Sequence, residues 1–217
     1  MTVRVREART SAELDAVFRL RHQVFVEEEQ YMPARHDRRL ADRFDAYPTS
    51  ANIVALVDGR IVGSIRFMER SAAGLSTDEF YDFTEQFAPA ARDGCSGMLV
   101  VARKYRSTPR LVVSMMAMGY LWAASRGLTR LFGAINPERL AAFRTTGYLQ
   151  VAAQFHHVER KLDVIPMVLE MSSIGPPFAQ FIRRHTTADA PCPVALDDLD
   201  LAVIQSDSVT DRVGHFS

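Results

Sequence analysis

The chain has 217 residues, 47% of them hydrophobic, and its 26 basic residues balance 26 acidic ones, so the formal net charge is zero. That length and apolar content suit one good-sized globular domain, and zero net charge gives no general attraction to nucleic acid or any other polyanion. Cys95 and Cys192 lie far apart without metal-ligand spacing, residues 1–7 carry no apolar signal core, and no run is long enough to span a membrane. The expectation is a cytoplasmic protein with reduced thiols and no metal.

In chain order, residues 3–7 alternate apolar and charged side chains, which predicts an edge strand. Ser11 followed by Glu13-Leu14 starts a helix whose buried side is Leu14, Val17, Phe18, Arg21, Phe25 and Val26. Arg21 interrupts that stripe. It either snorkels to the edge or lines a cleft, and periodicity favours snorkelling. Residues 27–50 are polar and irregular, a length that in a compact domain marks a functional or a mobile segment. Residues 53–57 and 61–68 form a hairpin closed by a type I′ turn at Asp58-Gly59. Alternation puts Ile61, Gly63, Ile65 and Phe67 on one face and Val62, Ser64, Arg66 and Met68 on the other. Residues 75–87 are predicted helical, with Phe80, Phe83 and Phe87 on one stripe.

The central unit begins at the apolar run 98–101. A basic turn, Arg103-Lys104-Tyr105-Arg106-Ser107-Thr108, leads into an apolar helix with Thr108 as N-cap, Pro109 at its first position and Gly127 as its stop. Met115, Met116 and Met118 read as ordinary core residues rather than an acyl pocket. A second apolar run, 131–135, leads to Asn136-Pro137, a short helix and Thr146-Gly147-Tyr148. Strand, turn, helix and parallel strand make a βαβ unit. Residues 149–153 continue a strand, 164–169 form another with Pro166 near its start, and 178–184 a short helix. From Thr186 onward a loosely ordered tail is expected. The class is α/β, with residues 1–175 as the domain and 176–217 as an extension.

The strand, basic turn and helix N-terminus, followed by Asn136-Pro137 and Phe143-x-x-x-Gly147-Tyr148, resemble the acyl-carrier core of the GNAT acyltransferase superfamily. Arg21-x-x-Val24-Phe25, Tyr31, Asp42-x-x-Asp45 and Gly63-x-x-Arg66 narrow the resemblance. They are similar to acyl-homoserine-lactone autoinducer synthases and long-chain N-acyl amino acid synthases. The resemblance covers residues 3–172 and implies a GNAT fold with a central mixed sheet. It also implies transfer of a fatty acyl group from acyl-CoA, or from the phosphopantetheine arm of acyl carrier protein, to the amine of a small molecule. The implied acceptor-side residues are Arg21, Asp42, Asp45 and Arg66. The implied donor-side residues are Leu99, Val100, Val101, Arg103, Arg106, Ser107, Thr108, Arg110, Asn136 and Phe143.

The sequence departs from those patterns in three places. The phosphate turn, 106–111, has no glycine. Phe143 stands where a tyrosine acid is common. Cys95-Ser96-Gly97-Met98 replaces the Glu-x-Ser-Arg of autoinducer synthases, which makes lactone formation less expected than general N-acyl transfer. Two alternatives remain at this stage: a CoA-dependent N-acetyltransferase, and a GNAT-like domain that binds an acyl ligand or partner without catalysis.

Overall fold

The computed structural model describes residues 3–186 and 194–195. Strands β1 (Val3–Glu7), β2 (Ser50–Val57), β3 (Arg60–Glu69) and β4 (Asp93–Val101) each pair antiparallel with the next of the four. Helix α2 (Pro109–Ser125) then crosses over to β5 (Arg130–Ile135), which lies parallel to β4. Helix α3 (Leu140–Thr145) leads to the short strands β6 (Leu149–Gln150) and β7 (Phe155–His157), and both pair with β8 (Leu162–Glu170). The sheet order is β6-β8-β5-β4-β3-β2-β1-β9, where β9 is Val194–Ala195. This is a mixed sheet flanked by helices, the GNAT-like arrangement.

Helix α1 (Ser11–Arg21) covers one face through Leu14, Val17 and Phe18, which pack on Val54 and Leu56. Helix α2 covers the other face with Met115, Met116, Met118 and Trp122, all core residues. Gly119 is needed there, because a Cβ at that position would sit 1.9 Å from the Phe67 ring. Helix α4 (Pro176–Thr186) adds Phe178 and Ile182 to the same core. Of the expected tail, Val194–Ala195 pairs in parallel with Val3 and Arg4, so β1 is not the sheet edge there. The rest of that expectation lies outside the described residues.

The hairpin closes as predicted from its turn: Asp58 and Gly59 both adopt left-handed backbone, with φ of 49° and 79°. Its alternation is broken, however. The register shifts at Ala55/Leu56, leaving Val62 as the extra residue of a bulge. Ile61 therefore packs toward α1, while Ile65 and Phe67 face α2.

Two further expectations are corrected. Residues 75–87 form separate 3₁₀ turns, Ser76–Glu79 and Phe83–Glu85, not a helix. The Asp78 carboxylate accepts from the Leu75 amide and the Asp82 carboxylate from the Thr84 amide, both at 2.9 Å. These local bonds compete with a helical ladder. Phe83 and Phe87 pack on Phe132, while Phe80 turns away to His157. The strand expected over 149–153 stops at Gln150. The Val151 amide donates to the Pro166 carbonyl, but Pro166 has no N–H to return, and the ladder on that side resumes only at β7.

Candidate functional site

The site begins where two strands part. β4 and β5 pair from Asp93↔Arg130 to Ser96↔Gly133 and no further, although β4 continues to Val101 and β5 to Ile135. On its other side β4 stays with β3 but carries a bulge. Arg66 pairs with Gly97 and Ser64 with Val100, so Met98 and Leu99 together face Ile65, and Met98 takes a left-handed φ of 54°. A bulge bends its strand, and here it accompanies the gap toward β5. Backbone groups of β4 that would otherwise pair with β5 front a cavity of about 800 Å³. Gly97, Met98 and Leu99 line it from β4, and Ala134 and Ile135 from β5. Phe25, Tyr31 and Met32 close it from the segment after α1, and Phe80, Phe143 and Leu162 from the far side.

Beneath the cavity lies a network of buried charge. Helix α1 continues as a π-helical stretch, His22–Glu28, and places Arg21 at the junction, fully buried. The snorkelling expected for Arg21 is therefore wrong. Its Nη1 donates to both oxygens of Asp45 at 2.9 Å, and its Nη2 donates to the Asn52 side-chain carbonyl. A full carboxylate partner at depth replaces the water that snorkelling would reach. Arg66, 3% exposed, grips Asp42 through Nη1 at 2.5 Å and Nη2 at 3.0 Å, and reaches Asp45 at 3.2 Å.

The Asp-x-x-Asp spacing has a local cause. Asp42 caps the 3₁₀ turn Arg43–Ala46 by accepting from the Phe44 amide, and Asp45 accepts in return from the Asp42 amide at 3.0 Å. Burial alone would raise the Asp45 carboxyl, but Arg21 and Arg66 outweigh it and hold it at about 2. Burial likewise works against the Arg66 cation, and Asp45 and Asp42 overcome it and push its pKa up. For Arg21 burial prevails over Asp45 and the pKa falls. Only Asp42 and Arg66 of this quartet line the cavity.

The donor-side residues divide in two. Leu99, Asn136 and Phe143 line the cavity; Val100 and Val101 are buried in the cores on either side of β4. Arg103, Arg106, Ser107 and Thr108 lie on the turn before α2 and Arg110 in the helix's first turn, all outside the cavity lining. Arg106 is engaged: its Nε donates to the Val101 carbonyl at 2.9 Å and its Nη2 pairs with Glu28. The Thr108 hydroxyl makes no capping bond, though Pro109 does open the helix. The Arg106 and Thr108 amides donate inside the turn, to the carbonyls of Arg103 and Tyr105.

Sequence reasoning missed Glu29 and Arg139 as cavity-lining charges. The run Glu27-Glu28-Glu29 carries no pattern that separates its members. In the fold, Glu27 pairs with Arg38 and Glu28 with Arg106, while Glu29 turns inward. Burial raises the Glu29 carboxyl despite nearby Arg106 and Arg139. Also missed was a clasp at the mouth, where Glu79 bridges Arg43 at 3.0 Å and Arg160 at 3.1 Å. Cys95, where autoinducer synthases usually have a glutamate, is a buried thiol against the Ser76 hydroxyl, and burial raises its pKa. It offers no base.

The family model of FeeM, an N-acyl amino acid synthase, matches residues 16–170. The chain belongs to this family. It is an acyltransferase, and the chemistry common to the family is N-acyl transfer to an amine. Solved structures agree on the fold. FeeM itself, from uncultured soil microbes, is 17% identical, covering 78% of this chain and 91% of FeeM with a TM-score of 0.65. BjaI, a CoA-dependent acyl-homoserine lactone synthase solved with SAM and isopentyl-CoA, is 19% identical, covering 94% and 98% of the two chains with a TM-score of 0.66. The acyl-homoserine lactone synthase LasI is 15% identical, covering 78% and 90%, with a TM-score of 0.63. No curated protein matches the chain in sequence. Among the described residues no helix is long and apolar enough to cross a membrane.

Proposed function

We propose that this N-acyl amino acid synthase relative moves a fatty acyl group from a phosphopantetheine thioester, carried by acyl carrier protein in preference to free CoA, to the amine of an amino acid. The observation that carries the reading is the parting of β4 from β5 over an apolar cavity. An extended pantetheine arm can pair with unpaired strand groups as an added strand would. The acyl chain then lies against Met98, Leu99, Ile135 and Phe143.

In the transfer, the amine lone pair attacks the thioester carbonyl carbon, an oxyanion forms, the C–S bond breaks and the thiol departs. Backbone N–H groups at the β4 bulge are placed to meet the oxyanion. Asp42 and Arg66 form the acceptor-side wall, while Arg21 and Asp45 hold that wall in place. Phe143 gives the leaving sulfur no acid, which a thiolate tolerates near neutral pH.

The turn before α2 supports the preference for carrier protein. A pyrophosphate nest needs free amides. Here Pro109 has no N–H, and the Arg106 and Thr108 amides are used within the turn. Arg103, Lys104 and Arg110 remain exposed and suit a single phosphate or an acidic protein surface. The test compares acyl-carrier-protein and acyl-CoA donors of equal chain length by thiol release, with and without Arg103→Ala/Arg110→Ala. The expected result is faster transfer from carrier protein, weakened by salt and by the double substitution. Equal or faster transfer from acyl-CoA would overturn the carrier-protein preference.

A further inference from the structure

Glu29 and Arg139 are both half-buried and both line the cavity, and neither side chain hydrogen-bonds or ion-pairs with any described residue, including the other. This is unusual for charges inside a largely apolar pocket, where ionised groups ordinarily find a partner. The segments carrying them are clamped together: the Asn136 side-chain amide donates to the Tyr31 hydroxyl at 3.0 Å, two residues from Glu29 and three from Arg139. Between Glu29 and Tyr31, Gln30 holds a left-handed φ of 55°, a conformation that costs a non-glycine residue about 1–2 kcal/mol. Such strain is commonly kept where it aims a functional group.

We infer that Glu29 and Arg139 are the acceptor's recognition pair, Glu29 receiving the ammonium and Arg139 the carboxylate of a free α-amino acid. The inference rests on the N-acyl transfer reading and deepens it by naming the two side chains that read the acceptor's opposite charges. An anion carrying only negative charge, such as a donor phosphate, would satisfy Arg139 but be repelled by Glu29. A zwitterion satisfies both.

Glu29 is also the carboxylate that Cys95 does not supply. One proton passes from the ammonium nitrogen to a Glu29 oxygen, which frees the lone pair. After attack the C–S bond breaks and the sulfur leaves as thiolate; the nitrogen then loses its second proton and the free thiolate takes one up, giving amide and thiol. The groups facing Glu29 are Arg106, Arg139, Glu138, Glu28 and Tyr31. Burial, the largest influence, favours its protonated form, the direction a base working near neutrality needs.

The test measures thiol release with paired acceptors, an amino acid and its decarboxylated amine, for instance tyrosine and tyramine. The intact protein is expected to prefer the amino acid by tenfold or more in kcat/KM, on the order expected for a charge-assisted bidentate contact. Arg139→Ala should erase that preference through KM for the amino acid, and Arg139→Lys should restore part of it. Glu29→Gln should lower kcat by roughly a hundredfold and flatten the acidic limb of its pH profile, with Glu29→Asp recovering some of both. Equal use of the two acceptors by the intact protein, or an Arg139→Ala defect confined to the donor's KM, overturns this inference alone. No thiol release with any amine overturns the N-acyl transfer reading itself.

Discussion

Asp45 carries a negative charge in a place water does not reach, and Arg21 and Arg66 hold it there. Its folded pKa of about 2 lies below the ordinary carboxylate value near 4. A depressed acid contributes stability above its unfolded pKa and loses it as pH falls through the folded one. Urea unfolding should therefore show about 2 kcal/mol disappearing between pH 4 and pH 2. Asp45→Asn leaves two buried guanidiniums short of charge and should cost about 3–5 kcal/mol at pH 7. Asp42→Asn should cost clearly less, since a third of that side chain meets the cavity's solvent. Phe143, buried edge-on to Tyr148 at 5.1 Å, tests the leaving group. Phe143→Tyr should alter kcat by less than about threefold if the thiolate departs unaided. A large gain would mean that a missing acid limits the reaction.

At the scale of elements, what could be read from sequence was what depends on neighbours in the chain. The Asp58-Gly59 turn, the Pro109 start and the Gly127 stop, with φ of 68°, are local chemistry and appear as expected. Three features depended on a partner strand or side chain rather than on the local pattern. The bulge at Val62 answers to register with β2. The end of β6 answers to Pro166 on β8. The burial of Arg21 answers to a carboxylate 24 residues away. Gly119 was equally silent, since nothing around it announces the Phe67 ring. Gly119→Ala should cost roughly 1–3 kcal/mol by overpacking, despite alanine's better helix propensity, as thermal unfolding can measure.

At the scale of the whole molecule, the site is a consequence of topology. Strands 4 and 5 are joined through α2 rather than a hairpin, so nothing obliges them to stay paired to their ends, and the sheet opens between them. Motif spacing in the sequence pointed to Asp42, Arg66, Leu99, Asn136 and Phe143, all of which line that opening. It could not reveal Glu29 and Arg139, because their role depends on which charges the fold leaves without partners. On the proposed reading this cavity joins an acyl thioester to an amine. The most direct test is mass spectrometry of the products after the purified protein meets a long-chain acyl-carrier-protein donor and a mixture of free amino acids. The expected product is an amide whose mass is that of the fatty acid plus the amino acid less one water, with a matching amount of free thiol. Thiol release without amide, or an acylated protein with no free product, would contradict that reading.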